Sequence, residues 1–189
     1  MSLRRTVKIV LTQPRMFIHR YLRRNKIGKG TWVAENTFLS KCKIGENVFI
    51  GGNCVINYTS IGNYCSIAPA VQIGGMEHDY RGLTTCAHLS EQQTYGVETV
   101  IEEDVWIGAA CIIKQGVRIG RGAVIGANSF VTKDVAPYSV VYGTPAKFIK
   151  YRFSDNIIRH LESSEYWKFD IKESKKILKQ LKQDLKDEI

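Results

Sequence analysis

The chain has 189 residues, room for one domain with a real core and too little for two comfortable ones. Its formal net charge of +9 is local: residues 1–30 hold nine Lys or Arg and no acid, which leaves 18 basic and 18 acidic residues in the remainder. A body so balanced is not expected to bind nucleic acid, and its five cysteines, an odd number without a CxxC pair, point to core packing in a reducing compartment rather than to disulfides or metal ligation.

Residues 1–26 mix arginines with Val7, Ile9, Val10, Leu11, Phe17, Ile18, Tyr21 and Leu22, and Pro14 divides them into two pieces, the second reading as a short helix. The run from Val7 to Leu11 is too short for a signal-peptide core, and no span of about 18 apolar residues follows, so a cytoplasmic protein is expected. The segment suits a cap over the open end of what comes next. Contact with an anionic membrane surface, where each basic residue is worth about 1 kcal/mol, adds to that role.

From Ile27 an aliphatic residue returns at every sixth position: Ile27, Val33 and Leu39, then after a slip of one Ile44, Ile50 and Ile56, and after a second slip Ile61, Ile67 and Ile73. A helical face recurs every three to four residues and a strand face every two. A period of six therefore predicts a solenoid of short, equal strands. The residue four places after a beat is small, at Thr31, Thr37, Val48, Cys54, Ser60, Cys65 and Val71, with Lys43 as the misfit beside a slip.

After Ile73 the pattern breaks, because Glu77 stands where a small residue belongs. Residues 74–100 are polar and aperiodic, and a loop of that length in a compact domain is usually functional. The beat resumes at Ile101, Ile107, Ile113, Ile119, Ile125 and Val131, with Val105, Cys111, Val117, Ala123, Ser129 and Val135 as small partners. Gly108, Gly120 and Gly126 directly follow a beat, where a turning backbone has no room for a Cβ. Nine beats before the loop and six after it, at three strands per turn, predict about five turns of a triangular prism.

Beyond Val131, Pro137, Gly143 and Pro145 end the coil, and Ser154 is placed to cap a helix holding Ile157, Ile158 and Leu161. From Asp170, Ile171, Ile177, Leu178, Leu181 and Leu185 recur among alternating charges as an amphipathic helix, which packs on the prism or on a neighbouring subunit. The organisation expected is a basic cap over 1–26, a solenoid over 27–153 with a loop over 74–100, and C-terminal helices over 154–189.

Of the four histidines, His19 and His160 read as surface or packing residues, while His78 and His88 fall in the loop. His78 follows the last ordered beat closely, held at one end by the coil and free to overhang a groove. A histidine there can take and return a proton near neutral pH. The residues alone leave a general base and a plain loop histidine both open.

The run DVWIGAACIIKQGVRIGRGAVIGANSFVTKDVAPYSVVYGTPAKFIKYRF, from Asp104 to Phe153, resembles the second half of the hexapeptide-repeat acyltransferases. Within them it is most similar to the xenobiotic (chloramphenicol and streptogramin) acetyltransferases and the related polysaccharide O-acetyltransferases. The resemblance covers about residues 27–167 and rests on VWIG, VIGA, VTKD and GTPAK in this order. It implies an all-β solenoid, a left-handed parallel β-helix, against the usual crossover hand, assembled as a homotrimer with acetyl-CoA between adjacent subunits.

The resemblance makes His78 the general base, taking the acceptor proton as its oxygen attacks the thioester and returning it to the thiolate, with no acyl-enzyme. Trp106 matches the tryptophan beside the cofactor arm. Gly108, Ala109, Gly126 and Ala127 match positions whose backbone lines the pantetheine; a backbone N–H replaces the serine that some relatives carry at Ala109. Thr132, Lys133, Lys147 and Lys150 match the nucleotide end, where ammonium groups meet phosphates, and Pro145 is placed to pack on adenine. In the loop, Asp79 and Tyr80 stand where polysaccharide-type relatives have Pro and a nearby aromatic, and Thr84 and Thr85 match a Ser-Thr pair. These four are the substrate-side candidates.

The longer Tyr-Pro-Phe text of the xenobiotic branch is absent, which favours a sugar hydroxyl in polysaccharide synthesis. N-acetylation of an amino sugar, or O-acetylation of an antibiotic, is the alternative. Glu77, Asp79, or a carboxylate or carbonyl of the next subunit could orient His78. A trimeric zinc enzyme on this fold needs three histidines at metal-binding spacing, which the loop does not offer. A non-catalytic scaffold does not explain the text around Trp106 and Lys133.

Overall fold

The computed structural model describes residues 24–78, 80–86, 88–89, 96–186 and 188. Of the cap segment expected over 1–26, all but the last three residues lie outside them.

Each of the fifteen aliphatic beats falls in its own strand of two to four residues. The strands stack in parallel into three faces. Ile27, Ile44, Ile61, Ile101 and Ile119 are in register on face A. Val33, Ile50, Ile67, Ile107, Ile125 and Val141 are in register on face B. Leu39, Ile56, Ile73, Ile113 and Val131 are in register on face C. The chain thus completes five turns and starts a sixth, through the Ile119–Val135 bridge and the strand Ser139–Gly143. Strand residues alternate, so the beat points inward and its predecessor outward. Burying each aliphatic side chain is worth about 1.5–3 kcal/mol.

Small residues fill the inner corners, and their polar groups bond to backbone carbonyls. Thr37 Oγ1 donates to Gly51 O at 2.7 Å, Ser129 Oγ to Gly126 O at 2.6 Å and Cys111 Sγ to Gly126 O at 3.0 Å. At the corner between faces C and A the expected positions shift. Cys42 and Thr59, both 0% exposed, point inward in place of Lys43 and Ser60. There only five residues separate Leu39 from Ile44 and Ile56 from Ile61, so the inward residue comes one place earlier. This shorter corner is what the two slips in the period encode.

The glycines after a beat answer to space rather than to a special turn. A Cβ on Gly108 would stand 2.6 Å from Ala127 N, in the turn above. Left-handed backbone falls later in each corner, at Asn47, Tyr64 and Asp104 between faces A and B, and at Asn53, Ala110 and Asn128 between B and C.

A hairpin returns the chain as Ala146–Tyr151, antiparallel to Ser139–Gly143. Helix α1 (Asp155–Ser164) is capped as expected by Ser154, whose Oγ accepts from Ile157 N. Helix α2 (Ile171–Asp184) is capped by Asp170. Polar contacts hold the helical region on the prism, with Tyr64 Oη donating to Phe169 O at 2.6 Å and Asn63 Nδ2 to Trp167 O at 3.0 Å. Arg121 donates to Glu103 at 2.9 Å and to Glu162 at 2.6 Å, and lies 3.9 Å over the Trp167 ring. Tyr138 donates to Glu162 at 2.8 Å. Burial raises the Asp104 carboxyl above its ordinary value, against the opposing pull of Tyr166 and Arg152.

Two outcomes test this fold. Ile107→Ala should cost about 2–5 kcal/mol in denaturant unfolding, whereas Trp106→Ala, one residue away on the outer surface, should stay within about 1 kcal/mol. Burial pushes the Cys65 thiol up to about 12 and raises Cys42, Cys54 and Cys111, so those four stay protonated and enclosed at neutral pH. A thiol reagent should therefore label only exposed Cys86 in the native protein and all five cysteines after unfolding.

Candidate active site

The loop leaves the wall at the end of the strand Gln72–Gly75 on face C. Gly74 makes the exit, with φ at +71° and a hypothetical Cβ only 2.1 Å from Asn57 O, so no other residue fits without strain. Gly75 pairs with Lys114 across a register shift. Glu77 then bonds Lys114 at 3.4 Å, which explains the acid found where the solenoid would place a small residue.

His78 is exposed one residue later, and its Nδ1 lies 2.7 Å from the backbone oxygen of Thr85. A carbonyl oxygen can only accept. Nδ1 therefore carries the proton and donates, which leaves the Nε2 lone pair facing outward. Thr84 Oγ1 accepts from Cys86 N at 3.1 Å and stiffens the same bend. The partner that orients His78 is thus a carbonyl of its own loop, and Glu77 is engaged elsewhere; Asp79 lies outside the described residues. Tyr80 is 80% exposed. The returning limb is tied down by Val97 N to Gln115 Oε1 at 3.3 Å and by Lys43 to Glu98 at 3.2 Å.

The residues expected to line a cofactor fall into two groups. Trp106, more than half exposed, stands on face B just before the corner where Ala109 and Ala127 stack, Asn128 N donating to Ala109 O at 2.9 Å. Gly108 is buried and Gly126 half-buried beneath them. Pro145 lies exposed at the hairpin tip, and Lys147 and Lys150 sit exposed on the strand Ala146–Tyr151, paired with Tyr142 and Val140 at the top of face B. Thr132 and Lys133 belong to a different corner. They follow the strand Phe130–Val131 at the far end of face C, two turns along the axis from the point where the loop leaves. The His78 loop and the Ala109 corner therefore occupy opposite ends of face C, separated by about 16 Å at 3.2–3.4 Å per residue.

The Ala109 and Ala127 N–H groups make no hydrogen bond among the described residues, so the corner offers free donors. Among the described residues, no group of three or more His, Cys, Asp or Glu is placed to hold a metal ion. Sequence reasoning missed Thr85 as the orienting group, because any residue type supplies a backbone carbonyl and only the path of the loop selects one.

The geometry defines a triangular parallel β-solenoid with a histidine-bearing loop and an exposed small-residue corner. Two family models match, bacterial transferase hexapeptide (six repeats) over residues 98–133 and hexapeptide repeat of succinyl-transferase over residues 42–69. A probable macrolide acetyltransferase of Lysinibacillus sphaericus is 41% identical over 133 residues, 63% of this chain and 71% of its own length. A chloramphenicol acetyltransferase of Morganella morganii is 39% identical over 125 residues, 59% of this chain and 60% of its own length. The match thus spans about three fifths of the Morganella enzyme.

Solved structures share the fold. A maltose O-acetyltransferase from Clostridium difficile 630 is 34% identical with a TM-score of 0.61, over 72% of this chain and 74% of its own. A hexapeptide-repeat acetyltransferase from Vibrio cholerae O1 biovar eltor, complexed with acetyl-CoA, is 31% identical with a TM-score of 0.61, over 73% and 76%. The chain belongs to the hexapeptide-repeat acetyltransferases, and its fold is their left-handed parallel β-helix.

Gly74→Ala tests the exit of the loop. The added Cβ must displace the Asn57 carbonyl or abandon the left-handed backbone, at a cost of about 1–2 kcal/mol. Thermal unfolding should show that loss, and limited proteolysis should show faster cleavage within residues 74–100.

Proposed function

We propose that the chain is an acetyl-CoA-dependent O-acetyltransferase acting on a sugar hydroxyl in the synthesis of cell-surface polysaccharide. The observation that carries this reading is the 2.7 Å contact between His78 Nδ1 and Thr85 O, which fixes the tautomer and leaves Nε2 as the base. Nε2 removes the hydroxyl proton as the acceptor oxygen bonds to the thioester carbonyl carbon. Collapse of the tetrahedral species breaks the carbon–sulfur bond, and Nε2–H returns its proton to the departing thiolate. The products are an acetyl ester and free CoA, and His78 ends as it began. The unbonded N–H of Ala109 is suited to meet the developing oxyanion, a role in which one donor is worth about 10²–10³ in rate. Trp106 and Ala127 line the donor arm and Lys147 and Lys150 meet its phosphates, while Lys133, on a different corner, meets them from a neighbouring copy of the chain.

The site is completed by a second copy of the chain, in a homotrimer. Support comes from the separation of the His78 loop from the Ala109 corner along one chain. The loop also exposes Met76, Tyr80, Leu83 and Leu89, an apolar surface of the kind that marks contact sites. The enzyme works in the cytoplasm, where acetyl-CoA is made, with the basic N-terminal segment against the inner face of the membrane. O-acetylation of an antibiotic is the second reading, favoured by the 39% and 41% identity to the chloramphenicol and macrolide enzymes.

Release of free CoA, followed with purified protein against sugars, chloramphenicol and a macrolide, separates the two readings. His78→Ala should lower kcat by about 10²–10⁴ with little change in CoA affinity. His78→Asn should be equally inactive although its amide can still donate to Thr85 O. Wild-type turnover in either variant sinks the mechanism.

A further inference from the structure

The first turns of the solenoid repeat every seventeen residues, so residues seventeen apart lie one above the other. Lys26 is in register with Lys43 on the outside of face A. At the adjoining corner Arg24, Lys41 and Tyr58 share the left-handed backbone of equivalent corner positions, at φ 55°, 56° and 41°. Two ladders of like charge therefore run side by side. Neighbouring strands lie about 4.8 Å apart, and like charges in directly opposed positions destabilise a sheet. Glu98 pairs with Lys43 at 3.2 Å. Among the described residues no carboxylate pairs with Arg24, Lys26 or Lys41, which leaves about three of the four positive charges uncompensated.

These side chains wall a cleft of about 780 Å³ whose other wall is the catalytic loop, through Met76 and Gly96. Met76 stands two residues before His78, so the cleft opens at the foot of the limb that carries the proposed base. The volume falls in the range of small-ligand sites, about 300–1,000 Å³.

We propose that the cleft holds a phosphate of the acceptor, so that the molecule acetylated is a phosphorylated sugar, either a sugar 1-phosphate or a sugar nucleotide. This rests on His78 being the base of acetyl transfer. Three uncompensated cations match the charge of a phosphate or diphosphate better than that of a single carboxylate, and hydrogen bonds between ionised partners are the strong ones. No bond of the anion is made or broken: the phosphate anchors the sugar while a hydroxyl is presented to Nε2. The donor's phosphates are met elsewhere, since Lys133, Lys147 and Lys150 lie on the fifth and sixth turns and the cleft lies on the first two.

Two measurements test this with the full-length protein. Without acetyl-CoA, inorganic pyrophosphate should raise the Tm of the wild type and leave that of the Arg24→Gln/Lys41→Gln double variant unmoved. Without ligand the variant should unfold no earlier than the wild type, because a like-charge stack has been removed. In the transfer assay a sugar 1-phosphate or sugar nucleotide should be preferred over the same neutral sugar by about tenfold or more in kcat/KM, a preference lost in the variant with KM for acetyl-CoA changed by less than about twofold. Whichever phosphorylated form is preferred identifies the source of the phosphate.

Equal preference for a uronic acid overturns the assignment to phosphate, and a rise confined to the KM of acetyl-CoA overturns it in favour of the donor. Neutral sugars acetylated equally well by both proteins, with no pyrophosphate shift, overturn the cleft and leave the acetyl-transfer reading standing. A pyrophosphate shift confined to the wild type, with no acceptor acetylated, upholds the anion site and overturns the reading of His78.

Discussion

The structure depends on one aliphatic side chain per strand lying on its counterpart in the next turn, along each of three faces. That stacking gives each short strand within a face a parallel partner above and below, and each end strand one partner, which strands of two to four residues could not do without in water. It also forces the corners. Twelve non-glycine residues from Arg24 to Tyr138 take left-handed backbone, each at a cost of about 1–2 kcal/mol, and five of them are Asn or Asp, which bear that conformation best. The buried columns offset the cost. Thiols and hydroxyls at the inner corners are tolerated because backbone carbonyls lie within hydrogen-bond reach of each.

The same stacking lets the His78-bearing loop be inserted without damage. Ile73 and Ile113 remain in register on face C, and Ile61 and Ile101 on face A, so the wall closes as though residues 76–98 were absent; the loop expected over 74–100 is shorter at both ends, because Gln72–Gly75 and Thr99–Ile101 pair as strands of the wall. Loop-closure entropy grows only slowly with length, and the excursion is anchored at both limbs, by Gly74 and the Glu77–Lys114 pair at one end and by Gln115 and Lys43 at the other. A rigid base and an anchored loop place His78, and a hydrogen bond within the loop sets its tautomer. The wall thus fixes where the loop leaves and returns, and the loop's own hydrogen bonds fix the imidazole.

Faces and corners divide the work. The inner surface is committed to packing, whereas the outer surface alternates with it residue by residue. Trp106 is therefore available to a ligand although Ile107 beside it is fully buried. The corner between faces B and C carries Ala109 and Ala127, both exposed, whose N–H groups make no hydrogen bond among the described residues. The polar cluster around Arg121 fixes the C-terminal helices at the corner between faces A and B, clear of this surface.

The six-residue rhythm is enough to place the first fifteen strands and the interruption between them, because a solenoid writes each turn into the sequence as the same pattern of burial, while the hairpin of Ser139–Gly143 and Ala146–Tyr151 lies beyond the rhythm. The slips are visible too, but not their meaning: counting four from the beat lands on Ser60 and Lys43, and only the folded corner shows that Thr59 and Cys42 point inward. His78 stood out as a residue type at the edge of order, and the residues of the Ala109 corner through resemblance to a family. Tertiary structure alone decided that Thr85 O orients His78, that Lys133 rises on a different corner from Ala127, and that Arg24, Lys26, Lys41 and Lys43 converge on one cleft. The reason is physical. Burial repeats with the local period and so leaves a trace in the sequence, whereas a backbone acceptor, a corner assignment and the stacking of surface charges depend on how successive turns are laid on one another.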